Sequence, residues 1–384
     1  MPDSADSQIG YTVPANVGMS VDEVQTPSLL IDLDAFEENL VRMRELAATS
    51  KIQLRAHAKM HKSVDVSRRQ MEIGGAMGIC CQKVSEAEVF ARAGFDNILI
   101  TNQVCDPVKI RRMVSFCGPD KRVICCVDDL DNVASLSHAA TAQGVVLECL
   151  VELECGTQRC GVTEIPMLVA IASAIAAAPG LKFTGLQAYN GRVQHHQSFA
   201  SRQSVETEVV SVTRTALAAL IDAGLECEIV SGGGTGSFAF EAASGLFNEI
   251  QCGSYAFMDA DYGRIENADG QRFDEAEWQN ALFILTSIVS TAQDGRAVCD
   301  AGLKVQSVDS GLPVIYGRDA VRYVQCSDEH GVIEDSGNIL KINDKLKLVP
   351  GHCDPTCNLH DWYVGVRGGK VEALWPVSAR GKAW

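Results

Sequence analysis

Short apolar runs, four to eight residues long and rich in β-branched residues, alternate with longer stretches of helical periodicity, and this alternation governs most of the chain. Strands are predicted at 52–58, 76–80, 97–101, 122–127, 147–153, 183–188, 227–231 and 250–254. Helices between them are predicted at 84–94, 129–144, 164–180 and 199–224. Ser85, three residues before Glu88, predicts a capping box at the start of one helix, and glycine follows many of the others. Eight strand and helix units predict a (β/α)8 barrel of TIM type over 34–274. An open doubly wound sheet is the alternative, but it gives no reason for eight.

Past about 275 the runs shorten and are broken by Gly, Asp and Pro turns, which predicts a smaller β-rich domain formed by 1–33 together with 275–384. The stretch "TPSLLIDLDAFEENLVRMREL" predicts a strand, a cap at Asp34 and an amphipathic helix. That strand would join the β domain from the other end of the chain.

Composition narrows the function classes. A net charge of -16 and a pI near 4.9 argue against nucleic acid and anionic membrane as partners, since both require clustered cations. There is no run of about 18 apolar residues and no basic, then apolar, N-terminal leader, so a cytoplasmic protein is expected. Fifteen cysteines sit inside apolar stretches such as "GICC" and "VICCVDD", which predicts reduced core thiols rather than disulfides.

A barrel places its chemistry at the C-terminal ends of its strands. "RAHAKMHK" puts Arg55, His57 and Lys59 at alternate positions, on one face if the segment is extended. Lys59 follows the first strand, Gln82 the second, Arg159 the fifth, and Tyr189 and His195 the sixth. "SGGGTGS" (231–237) and "CGSY" (252–255) follow the last two, where backbone N–H groups of a barrel converge on phosphate. Phosphate beside a lysine suggests pyridoxal phosphate held as a Schiff base, with the amine kept readily deprotonated by Arg55 and His57. The strand alone admits equally a lysine in a surface ion pair.

Together "PSLLIDLDAFEENL", "RAHAKMHKS", "QAYNG", "SGGGTGS" and "PGHCDPTCNLHDW" resemble the D-threonine aldolase and D-serine dehydratase group of alanine-racemase-fold enzymes, fold-type III pyridoxal phosphate enzymes, and most of all its hydroxyaspartate-cleaving members. The resemblance implies that Lys59 carries the cofactor. Gln82, Ser231, Gly233, Thr235, Gly253 and Ser254 would contact it, Arg159 would face its pyridine nitrogen, and Tyr189 would belong to its pocket. His352 and Asp354 would hold a divalent metal. Carboxylate with imidazole admits Mg2+ or Mn2+, where a thiolate at the second position would select zinc. A structural zinc site from His352, Cys353, Cys357 and His360 is the rival reading.

The activity implied is reversible retro-aldol cleavage of 3-hydroxyaspartate to glycine and glyoxylate, with His195 or a metal-bound water taking the hydroxyl proton. D-threonine cleavage, 3-hydroxyaspartate or D-serine dehydration, racemisation and non-catalytic cofactor binding remain as alternatives on the same scaffold. Arg55, Arg264 and Arg318, the last from a partner subunit, are the candidates for the second carboxylate of the substrate. A homodimer with the site near its interface is also implied.

Overall fold

The computed structural model describes residues 8–384; the first seven, which the sequence assigns to the β domain, lie outside them. After a 3-10 helix at Val21–Glu23, strand β1 (Ser28–Asp32) leads into helix α1 (Leu33–Ser50). Eight strands then follow: β2 (Gln53–His57), β3 (Gly78–Cys81), β4 (Asn97–Gln103), β5 (Arg122–Val127), β6 (Leu147–Glu152), β7 (Leu181–Ala188), β8 (Ile229–Gly232) and β9 (Glu249–Ile250). They close a parallel barrel in sequence order, with Gln53 of β2 in register with Glu249 of β9. Parallel strands covered on both faces have no solvated side, which is why they read as continuous apolar runs such as "RVICCV".

The remaining strands, β10 (Leu282–Gln293), β11 (Arg296–Cys299), β12 (Val314–Ile315), β13 (Arg322–Cys326), β14 (Gly331–Glu334), β15 (Lys345–Val349), β16 (Trp362–Arg367) and β17 (Lys370–Pro376), build a second sheet. β1 lies inside this sheet, antiparallel to β10 and parallel to β16, so the two ends of the chain are hydrogen-bonded together. All fifteen cysteines are free and most are in the core. Among the described residues no helix is long and apolar enough to cross a membrane.

Three local expectations are corrected. Asp32, the last residue of β1, caps α1 by accepting from Ala35 N at 3.3 Å, while Asp34 pairs with Arg367; the strand runs straight into the helix and leaves no turn before the cap. The helix after β3 begins at Val84, with the Glu86 carboxylate accepting from the backbone N–H groups of Gln82 and Lys83. Ser85 instead accepts from Trp384 N, and Glu88 pairs with Arg92 and Arg112. The last barrel strand is only Glu249–Ile250, because the chain leaves the wall and turns into a 3-10 helix at Ser254–Ala256.

The barrel interior is divided. Cys80, Leu99, Ile124, Leu150 and Ile229 form an apolar cluster. Beside it runs a polar column in which Arg55 binds Glu249 at 2.9 Å, Glu249 accepts from Ser231 at 2.7 Å, and Gln251 donates to Ser231 at 2.8 Å. Arg55 is fully buried and also bonds Asn97. It is therefore a neutralised internal residue and is unavailable to a substrate.

Two contacts fix the second sheet over the barrel mouth. Ala260 N donates to Pro350 O at 2.9 Å, and the buried Asp259 carboxylate accepts from both Tyr262 N and Cys353 N. One side chain thus caps a short helix on each side of the junction.

Candidate active site

At the C-terminal mouth of the barrel lies a cavity of about 290 Å³. Lys59, Arg159, Tyr189, His195, Thr235, Gly253 and Ser254 reach it from the barrel loops, and His352 and Asp354 reach it from the second sheet. Gln82, Ser231 and Gly233 do not line it. Gln82 exchanges hydrogen bonds with Thr101, which in turn meets His57 Nε2 at 3.1 Å. Ser231 belongs to the polar column, and Gly233, at φ +73°, lies against Glu241 and Ile250 beneath the loop. A larger depression of about 680 Å³ at the other end of the barrel offers no comparable chemistry, since its Arg122 and Glu148 are already paired with each other.

Lys59 stands in the turn just beyond β2 rather than in the strand, with its side chain 43% exposed and Nζ 3.2 Å from Asp354 Oδ1. This changes the expected electrostatics. Burial, and then Lys59 itself, push His57 well below the ordinary imidazole range, so His57 is neutral. Arg55 is cancelled by Glu249. Asp354 raises the Lys59 ammonium well above its usual range, so Lys59 is held protonated in the free site. Against the effect of burial, Lys59 and then His352 keep Asp354 below the ordinary carboxylate range.

The glycine loop and the 3-10 turn form a cradle beside Lys59. The Thr235 hydroxyl accepts from Tyr255 N at 3.0 Å and joins the two segments. Backbone N–H groups of Thr235, Gly253 and Ser254 are used by no hydrogen bond among the described residues. Added side chains would not fit: a Cβ at Gly253 would lie 2.9 Å from His57 O, and one at Gly234 would lie 2.7 Å from the Gln194 side chain. Free amides converging from two loops suit the phosphate of pyridoxal phosphate, and an amine in the same cavity suits its aldehyde. The residues present therefore fit that cofactor.

Below the loop, Ser237 accepts from Gly234 N and donates to Glu241 at 2.9 Å. Glu206 and Glu241 face one another there, buried, with no cation between them, and burial pushes both carboxyls up.

His352 and Asp354 do not lie on a strand. His352 caps the short helix Cys353–Cys357 and Asp354 is in its first turn, which still brings His352 Nε2 within 3.8 Å of Asp354 Oδ2. His352 Nδ1 meets Asp309 Oδ2 at 2.8 Å, an arrangement that turns Nε2 toward the cavity. Burial lowers the His352 pKa, but Asp354, Asp309 and Asp259 together raise it. One imidazole nitrogen and one carboxylate form a donor pair suited to Mg2+ or Mn2+. The rival zinc set does not assemble: Cys353 bonds Met258 O, His360 bonds Val305 O, and no group of three or more His, Cys, Asp or Glu among the described residues is placed to share a metal.

The family model for the alanine racemase N-terminal domain matches residues 31–261, which includes every strand of the barrel. The chain belongs to the alanine-racemase-fold family. A second family model, of a serine dehydratase domain, matches residues 281–366. Within the alanine-racemase-fold family, the chain is 57% identical to a 3-hydroxy-D-aspartate aldolase of Paracoccus denitrificans (strain Pd 1222), over 98% of this chain and 97% of that one. It is 41% identical to a D-threonine aldolase of an Arthrobacter species, over 97% of each. The crystal structure of D-threonine aldolase from Filomicrobium marinum superposes with a TM-score of 0.92 at 44% identity, covering 97% of this chain and 100% of that one.

The structure adds residues that the sequence reading of this family member passed over. Asp309, in "QSVDSGLP", orients His352 from 43 residues away. Asp261 meets His195 Nδ1 at 3.1 Å and also holds Arg264, which is thereby occupied. Arg192 lines the cavity directly, from the same turn as His195. Its signal in "NGRVQHH" was the three-residue spacing from that histidine.

Proposed function

We propose that this chain cleaves the Cα–Cβ bond of 3-hydroxyaspartate, releasing glyoxylate and glycine, with pyridoxal phosphate and a divalent cation as cofactors. The observation that carries the reading is the meeting of Lys59 with the His352–Asp354 pair in one cavity, beside a cradle of free backbone amides. The 57% identity to a 3-hydroxy-D-aspartate aldolase supports the substrate.

Bound there, pyridoxal phosphate supplies an electron-accepting system conjugated to the substrate Cα. The Thr235, Gly253 and Ser254 amides would hold its phosphate, and the Lys59 amine would hold its aldehyde. Arg159 would face the pyridine nitrogen; a guanidinium does not release its proton, so that nitrogen would stay unprotonated and carbanion side reactions would be limited. His352 and Asp354 would hold a divalent cation, which would supply Lewis-acid polarisation on the hydroxyl's side of the cavity. His195, oriented by Asp261, is the chain's own group in the cavity that would accept the hydroxyl proton as the Cα–Cβ bond breaks. Carboxylate rather than thiolate at position 354 favours this bond cleavage over dehydration.

The test is a product assay on the purified holoenzyme with D-3-hydroxyaspartate diastereomers, with Mg2+ or Mn2+ and then with EDTA. Glyoxylate plus glycine, lost in EDTA, supports the proposal. Oxaloacetate plus ammonia would place the chain among the dehydratases, and turnover of D-threonine alone would overturn the substrate.

A further inference from the structure

The proposed substrate carries a second carboxylate on Cβ, the carbon that also bears the reacting hydroxyl. The strongest grip on it would come from a cation on the hydroxyl's side of the cavity. Of the three arginines the sequence offered, Arg55 is sealed inside the barrel by Glu249, Arg264 is bound to Asp261 and to Ser310 O, and within one chain neither Arg264 nor Arg318 lines the cavity.

Arg192 satisfies the requirement. It is the first residue of the 3-10 helix Arg192–His195, and in such a helix side chains at i and i+3 eclipse one another. Arg192 and His195 therefore project in one direction, and both line the cavity. In the proposed function His195 is the side chain available to take the hydroxyl proton. Lys59 and His352 face carboxylates, whereas Arg159 and Arg192 have none within ion-pairing distance among the described residues. Arg159 is assigned to the cofactor ring, which leaves Arg192 as the free cation.

Its setting is built rather than loose. Arg192 Nη1 donates to Gln158 Oε1 at 3.1 Å, and Gln158 is a non-glycine residue at φ +55°, a left-handed conformation that side chains rarely adopt. The two arginine-bearing loops are tied together by Thr157 Oγ1 to Tyr189 O, Gly191 N to Thr157 Oγ1, and Asn190 Nδ2 to Cys155 O. Arg192 N donates to Asn190 Oδ1 at 3.0 Å, which fixes the start of the turn.

We infer that Arg192 binds the distal carboxylate of the substrate and sets the preference for a β-hydroxy dicarboxylic amino acid over one with a neutral side chain. This rests on the proposed function for its substrate, but it can be tested separately. D-aspartate carries both carboxylates and no hydroxyl, so it probes binding without carbon–carbon cleavage; D-alanine lacks the distal carboxylate. Their affinities for the holoenzyme are measured by titration calorimetry in the unmodified protein, Arg192→Gln and Arg192→Lys. The expected result is a loss of D-aspartate affinity of about 10–100-fold in Arg192→Gln, with D-alanine changed far less and part of the loss recovered by lysine. In parallel, the ratio of kcat/KM for D-3-hydroxyaspartate to that for D-threonine should fall by a similar factor, mainly through KM. Equal losses for D-aspartate and D-alanine, or no loss for D-aspartate, would overturn the inference, whichever substrate the enzyme proves to cleave. If D-threonine alone is cleaved, the proposed substrate falls and with it the preference assigned to Arg192, even where D-aspartate binding still depends on Arg192.

Discussion

At the N-terminal end of the barrel, Arg122 clasps Glu148 through Nε and Nη2 and reaches Glu228 as well, and Arg55 is closed off by Glu249 and Asn97. At the C-terminal end Arg159 and Arg192 have no carboxylate within ion-pairing distance among the described residues, although they stand on equally well-defined backbone. The residue type is the same and its state is opposite. Solvated guanidinium groups need no internal partner, so leaving them open adds little to the cost of folding. What they offer is uncommitted charge, which an anionic ligand can use. The lysine between these regimes, Lys59, is paired, but with a carboxylate that itself belongs to the cavity.

The sharpest way to separate the two ends is to remove the central amine at the mouth. Lys59→Ala should lower glyoxylate release by about 10³-fold or more while leaving the melting temperature of the apoprotein almost unchanged. At the sealed end the expectation reverses: Arg55→Met should cost about 3–5 kcal/mol in urea unfolding, because Glu249 is left buried and unpaired, and adding Glu249→Leu should restore much of it. Asp309→Asn should raise the Mg2+ or Mn2+ concentration needed for half-maximal activity by about 10–100-fold, since Asp309 only orients His352.

A pH experiment distinguishes the buried acids from both. Burial raises the Glu206 and Glu241 carboxyls, so the folded protein keeps a proton that the unfolded chain releases above the ordinary carboxylate range, about pH 4. Their contribution is complete below that range and declines as pH rises toward the folded-state values. Thermal melts should therefore fall between pH 6 and 9, and Glu206→Gln should flatten that slope; an unchanged slope would remove the pair from the account. The smallest effect is expected from Arg122→Ala, about 1 kcal/mol or less, because its ion pairs are partly solvated.

Much of this was legible in the chain. Seven of the eight barrel strands were visible as apolar runs because both faces are covered, and four of the helices between them were visible by their period, whereas the short helices Val64–Glu72, Pro107–Val114 and Phe238–Ser244 were not singled out. The eighth was misjudged in length because Cys252–Ser254 carries the same short apolar texture while its backbone leaves the wall to expose amides. Lys59, Arg159 and the glycine loop could be singled out because residue type and position after a strand coincide. The roles of Arg55, Arg192 and Asp309 could not, because whether a charge is satisfied depends on residues such as Glu249 and His352, far away in sequence. The helical placement of His352 and Asp354 was hidden for a local reason: a cap and its first turn can present the same alternate side chains as a strand.

The cavity is assembled from two separately recognisable stretches, with the lysine and amide cradle inside 31–261 and the His352–Asp354 pair inside 281–366. In evolutionary terms this makes the junction capped by Asp259 a point of exchange. A lineage can retain its cofactor barrel and acquire a different reaction by altering a few positions in the later segment, without redesigning the part that folds around the cofactor.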